Sequence, residues 1–176
     1  CQGTLAAKIF NFYCIYFRIL IVINSLDRLE RRILRLLQEN GRLSNRELAE
    51  QIGLSPSPCW RRLKGLEEEG YIQQYTALLD REKLGFSATG FAHVSLENHH
   101  QATVAAFDEA IEQWPEVMEC YMTSGNYDYM LKIVAVDMTA FERFLSTRLL
   151  LLPAIRTVNT SFVLRPKKYT TALPLD

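Results

Sequence analysis

Leu26, Leu29, Ile33 and Leu37 recur at the spacing of one helical face. Asp27, followed three residues later by Glu30, has the form of an N-cap and its reciprocal partner. Asn40-Gly41 supplies the stop, because glycine tolerates the left-handed backbone at a helix end. Ser44 and Glu47 then repeat the S-x-x-E box, flanked by Leu43 and Leu48 at the positions of a hydrophobic staple. Leu48, Ala49 and Ile52 form the apolar face of this second helix, and Gly53 ends it after little more than two turns. Ser55 is expected to cap a third helix with Pro56 at its first position, where a missing N–H costs nothing.

A short helix, a glycine-containing tight turn and a second helix make a helix-turn-helix, whose second helix enters the major groove of DNA with its N-terminal residues at the base edges. On the third helix Cys59, Leu63 and Leu66 share one face, while Ser57, Arg61 and Lys64 project from the other. The run from Ser55 to Leu66 carries cations and no anion. The candidate DNA-binding residues are therefore Arg46, Ser55, Ser57, Trp60, Arg61, Arg62 and Lys64. Ser57, Trp60 and Arg61 are expected at bases and Arg62 and Lys64 at phosphates, with Arg46 and the start of the second helix clamping the backbone. Taken alone, the run equally fits a solvated cationic face, and Trp60 equally suits packing on a neighbouring helix. The acidic triple Glu67 to Glu69 closes the helix, so a duplex must meet its other end.

Residues 71–79 are rich in aromatic and β-branched types and read as a strand and hinge. Beyond them strands and helices alternate. Residues 86–96 form a half-buried strand, with Ala92, Val94 and Leu96 on one face and His93 and Ser95 on the other. Val104, Phe107, Ile111 and Trp114 mark a helix ended by Pro115, and residues 117–124 and 127–136 form a hairpin broken at Gly125-Asn126. Phe141, Leu145, Leu149 and Leu152 mark a second helix stopped by Pro153, and residues 157–164 alternate as a last strand. The order βαββαβ gives an antiparallel ferredoxin-like sheet with both helices on one face. Its other face needs a cover, and the simplest is a second copy of the domain, so a homodimer is implied. The fold class is α+β: a three-helix (winged) helix-turn-helix over residues 25–71, a linker over 72–85, a βαββαβ domain over 86–168 and a tail over 169–176.

The zero formal net charge excludes a uniformly basic nucleic-acid coat. Its distribution is uneven, slightly basic over residues 27–83 and acidic over 84–176. Cys1, Cys14, Cys59 and Cys120 show no CxxC spacing and suit buried thiols in a reducing, cytoplasmic setting. Lys8 to Asn24 is apolar but interrupted by Asn11 and Arg18, which makes it too short to span a membrane and a poor signal peptide. It is dominated by residue types with AT-rich codons and is expected to be upstream sequence read through ahead of the true start. Residues 1–24 are thus expected to be a leader outside the native fold.

From Leu26 to about Lys168 the chain resembles the leucine-responsive, or feast/famine, regulator family (Lrp/AsnC). The resemblance rests on LDRLERRILRLLQENGRLSNRELA, on GLSPSPCWRRLKGLEEEGYIQQYTALLD and on SGNYDYMLK at residues 124–132. It implies a sequence-specific transcriptional regulator that binds double-stranded DNA, dimerises through its C-terminal domain and often assembles to octamers. It further implies an amino-acid effector, leucine or methionine, held between dimers near the Gly-x-Tyr/Phe-Asp loop. Here the effector-binding candidates are Met122, Ser124, Gly125, Asn126, Tyr127, Asp128 and Met138, with Asp128 receiving the α-ammonium and the two methionines lining an adaptable pocket. A plain hairpin turn with Asp128 as a cap is the bland alternative. Two departures stand out: the leader has no family counterpart, and Trp60 replaces what is more often a smaller residue. An effector-independent architectural DNA protein and a tetrapyrrole decarboxylase of similar architecture are the competing functions. The second needs clustered His and Arg, whereas His93, His99 and His100 offer only an adjacent pair in a loop. No nucleophile with a base, phosphate loop or metal spacing is present, so no enzyme activity, cofactor or metal is expected.

Overall fold

The computed structural model describes residues 26–175; the leader expectation for residues 1–24, with Cys1 and Cys14, lies outside them. The chain divides into two compact units, residues 78–169 forming one and the segments before and after them the other.

In the first unit, α1 (Arg28–Glu39), α2 (Asn45–Ile52) and α3 (Pro56–Glu68) enclose Ile33, Leu34, Leu48, Ala49, Ile52, Cys59 and Leu66. Both capping boxes form. Asp27 accepts from the Leu29 and Glu30 amides at 2.8 and 2.9 Å, while Glu30 reaches back to the Asp27 amide at 2.9 Å. Ser44 and Glu47 make the same exchange at the start of α2. Gly53 closes α2 in the left-handed region at φ 73°, and its N–H reaches the last carbonyls of the helix. Two local expectations change. Asn40 leaves α1 with an extended backbone and Gly41 is not among the positive-φ glycines, so the stop needs no left-handed residue. Ser55 occupies the N-cap of α3, but its side chain makes no capping bond.

The expected strand over residues 71–79 does not form: these residues belong to no strand, and Tyr75, Leu78 and Leu79 are exposed. Extended composition gives a strand only where a neighbouring backbone accepts its hydrogen bonds.

The second unit contains β1 (Ala88–Leu96), α4 (Gln101–Glu112), β2 (Val117–Met122), β3 (Tyr129–Ala135), α5 (Met138–Thr147), a 3-10 turn at Leu149–Leu151 and β4 (Ile155–Phe162). All pairings are antiparallel and the strand order is β2-β3-β1-β4. Alternate residues Ala88, Ala92, Val94 and Leu96 of β1 and Tyr129, Leu131, Ile133 and Ala135 of β3 share one core with Phe107 of α4 and Phe141 and Phe144 of α5. Both helices therefore cover the same face of the sheet. On the opposite face Ser95 is buried, contrary to its expected half-exposure, because β1 is an inner strand with a neighbour on each side. Cys59 is buried as expected, whereas Cys120 is exposed on the edge strand β2. No helix among the described residues is long and apolar enough to cross a membrane.

Gly90 lies under the Phe141 ring, where an added Cβ would come within 2.7 and 2.9 Å of ring carbons and 3.3 Å of the Ser161 carbonyl. Phe141 is fully buried and cannot swing away. Gly90→Ala is expected to cost about 1–3 kcal/mol through overpacking, read as a lower midpoint for unfolding of the sheet unit in urea.

Arg62 of α3 donates to the carboxylates of Asp27 and Glu30, reaching Glu30 at 3.2 Å. Asp27→Ala removes a cap and an ion-pair partner together. It should therefore destabilise the helical unit by about 1–2 kcal/mol, more than Arg62→Met, which removes only a partly exposed pair. Urea unfolding followed through helical circular dichroism checks the ranking.

Candidate nucleic-acid interface and effector loop

α3 turns two sides to different surroundings because its apolar residues fall at helical spacing. Cys59 and Leu66 are buried against α1 and α2, while Ser57, Trp60 and Arg61 are exposed, Trp60 at 54%. Trp60 is thus not taken up by packing. The free Ser55 hydroxyl and the first amides of α3, with Pro56 at the first position, stand at the same end. Asn45 at the start of α2 donates to the Pro56 carbonyl at 2.9 Å and pins the two helix starts together, with Arg46 beside it and exposed.

The expected pair of phosphate contacts divides. Arg62 faces α1, held between Asp27 and Glu30, and does not join the exposed group. Asp27 ionises below the usual carboxylate range, chiefly because the Glu30 amide donates to it, with Arg62 adding to the effect against a desolvation cost. Lys64 is half-exposed, with its ammonium 3.9 Å from Glu67 and 3.8 Å from Glu68. These are loose surface pairs that a phosphate can displace.

In the second unit the segment after β2 forms a tight loop. The Thr123 amide donates to the Asp128 carbonyl at 2.8 Å, and the Thr123 hydroxyl donates to the Tyr127 carbonyl at 2.9 Å. Gly125 takes φ 125°, a conformation that side chains strain, so the turn depends on it. Ser124, Gly125 and Asn126 are exposed at its tip. Tyr127 lies against His93 of β1, with ring centroids 5.4 Å apart.

Asp128 ties this loop to the end of β1. Its amide donates to the Val94 carbonyl at 2.9 Å, its Oδ2 accepts from the Leu96 amide at 2.8 Å, and its Oδ1 lies 2.8 Å from His99 Nε2. Burial raises its pKa, but His99, the Leu96 amide and Arg156 outweigh that cost, so the carboxyl ionises below its ordinary range. His99, Leu96 and Thr123 were not among the sequence candidates. The one available signal was an acid after a glycine turn, which needs donors, with a His pair in the loop after the preceding strand.

Met122, 77% exposed, sits beside the loop and pairs with Tyr129 at the start of β3. Met138 does not join it. It begins α5 after the far end of β3, so the seven residues of that strand, about 20 Å at ordinary rise, lie between the two methionines. The expected two-methionine pocket is not formed within one chain, because an antiparallel hairpin sends the strand away from its own turn. The histidines also diverge: His93 packs on Tyr127, His99 pairs with Asp128 and His100 is the N-cap residue of α4.

Residues 26–73 match the family described as winged helix-turn-helix DNA-binding, and residues 89–173 match the Lrp/AsnC ligand binding domain. The chain is 43% identical over 151 residues to the transcriptional regulator AzlB of Bacillus subtilis, an alignment covering 86% of this chain and 96% of that protein. It is 39% identical over 148 residues to the leucine-responsive regulatory protein of Escherichia coli, covering 84% and 90%. A transcriptional regulator of Neisseria meningitidis solved with L-Met superposes with a TM-score of 0.83 at 42% identity, covering 86% of this chain and 98% of that one. E. coli AsnC superposes at 0.78 with 27% identity over 85% and 99%. With both family matches falling on the two units just described, the chain belongs to the Lrp/AsnC family of transcriptional regulators.

Proposed function

We propose that this protein is a sequence-specific DNA-binding transcriptional regulator whose response is set by an amino acid held at the Ser124–Asp128 loop. The observation that carries the DNA reading is the outward row Ser57, Trp60 and Arg61 on a helix whose opposite side is buried in its own unit. Those residues lie near the start of α3, away from Glu67 to Glu69, as a helix entering a major groove requires. Arg46, Ser55 and Lys64 supply backbone contacts, while Arg62 serves the duplex indirectly by holding α3 on α1.

Support for an amino-acid effector comes from the exposed loop tip, from the ligand-binding family match and from L-Met in the neisserial regulator. Exposed backbone groups at Ser124 to Asn126 suit a carboxylate, and Met122 offers a soft apolar neighbour. Asp128 reaches an ammonium only by exchanging His99 for it, since its other oxygen already accepts from the Leu96 amide. The sheet face opposite the helices leaves Phe91, His93 and Met130 half-buried, which fits a homodimer as the next level of assembly, with octamers beyond it and a cytoplasmic location.

Arg61→Ala is expected to weaken operator binding by about 1–3 kcal/mol and to blur sequence choice, whereas Lys64→Ala weakens all duplexes alike and lowers the salt slope by about one. Fluorescence anisotropy on specific and scrambled duplexes over a salt series separates the two. Equal losses with unchanged selectivity would contradict the assignment. Calorimetric titration with leucine and methionine should give heat from at least one.

A carboxyl held below its ordinary range contributes stability that is present above the unfolded pKa and disappears as pH falls through the folded one. Amide protection of Leu96, Thr123 and Asp128 should therefore persist through the range where free aspartate titrates and collapse only below it. In Asp128→Asn that acid transition should vanish, as read by amide exchange between pH 5 and pH 2.

A further inference from the structure

The chain leaves the helical unit after Ala77 and re-enters it at Thr170. It is brought back by an extended stretch, Thr170–Leu175, laid against the second half of α1. The Gln38 carboxamide pairs with both main-chain groups of one residue: Nε2 donates to the Leu173 carbonyl at 3.2 Å, and Oε1 accepts from the Leu173 amide at 2.6 Å. One turn earlier, Arg35 Nη2 donates to the Leu175 carbonyl at 3.0 Å. Arg35 and Gln38 are three residues apart and share a helix face, so together they read a short length of extended backbone.

A carboxamide carries a donor and an acceptor side by side, as a backbone position of a strand does, so Gln38 completes one rung of a ladder with Leu173. Side chains add the rest. Leu175 packs on the helical core while Leu173 is 69% exposed, so the segment is held by its backbone at Leu173 and by its side chain at Leu175. Pro174 lies between them, fixes its own φ and biases Leu173 toward extended conformations, which lowers the ordering cost of docking.

We propose that Arg35, Gln38 and the core beside them form a peptide-docking surface on α1, and that Thr170–Leu175 is its ligand. The segment acts as a return strap, so the helix-turn-helix is held to the rest of the chain at two points, after Ala77 and at Thr170. The strap meets α1 at residues 35 and 38, whereas Arg62 of α3 meets it at Asp27 and Glu30. Ser57, Trp60 and Arg61 stay uncovered, so the strap is a tether and not a plug on the DNA-reading helix.

Amide exchange by NMR on the full chain tests this, using Gln38→Leu, which keeps helix propensity and bulk but removes the carboxamide, and Leu175→Asp, which removes the apolar anchor. The Leu173 amide should be protected in the unaltered protein and should exchange at the free-peptide rate in both variants. Residues 31–39 should exchange about tenfold faster in the variants, with strands β1 to β4 unaffected. Low-salt duplex binding by Gln38→Leu should stay within about twofold of the unaltered protein. Free-peptide exchange of Leu173 in the unaltered protein, or full protection in both variants, overturns the strap. A tenfold loss of duplex affinity in Gln38→Leu overturns its placement clear of α3. The exchange result stands by itself if no duplex binds at all, so failure of the DNA reading is distinguishable from failure of the strap.

Discussion

The placement of α3 on α1 depends on one carboxylate. Asp27 caps α1 through the Leu29 and Glu30 amides and, with Glu30, also holds the Arg62 guanidinium of α3. A group that starts one helix thereby sets the placement of another, and the exposed row on α3 inherits its aim from that contact. An arginine suits the role because its fork presents several donors at once and stays charged throughout the accessible pH range. The outward residues are therefore few, and they are presented rigidly, which a base-reading surface requires.

In the second unit the comparable constraint is the meeting of two sheet edges' worth of chain at Asp128. The β2–β3 loop and the end of β1 are joined by its amide and both of its carboxylate oxygens, while its carbonyl closes the loop on the Thr123 amide. An exposed glycine turn is thus mounted on a fixed base, with Ser124, Gly125 and Asn126 at its exposed tip. His99 completes the arrangement, its Nε2 2.8 Å from the second carboxylate oxygen. Below it, Gly90 lets Phe141 lie close to the sheet, so the core under the loop-bearing strands is closed by the absence of a side chain.

The order of elements along the chain and the capping boxes follow from short-range pattern, and so do the buried faces of α1 to α5. Leu48, Ala49 and Ile52, or Phe107 and Phe141, are legible because hydrophobic periodicity is a property of consecutive residues. The hairpin at Gly125-Asn126 was equally plain. The stretch over residues 71–79 was not, since β-prone composition makes a strand only where another strand's backbone runs beside it, and these residues join no strand. The two methionines, Met122 and Met138, stand apart within one chain for a geometric reason: their proximity in sequence hides the length of β3 that runs between them.

By itself, the sequence determined the three helices of the first unit, the βαββαβ order of the second and the apolar face of each helix, because caps, turns and periodicity act over three or four residues. Tertiary structure alone decided the partners of individual polar groups. It gave Arg62 to α1 instead of the solvent, His99 and the Leu96 amide to Asp128, and the backbone of Leu173 to Gln38. Such pairings join residues from 29 to 135 positions apart, and a hydrogen bond over that separation depends on where the chain returns in space, which no local pattern records.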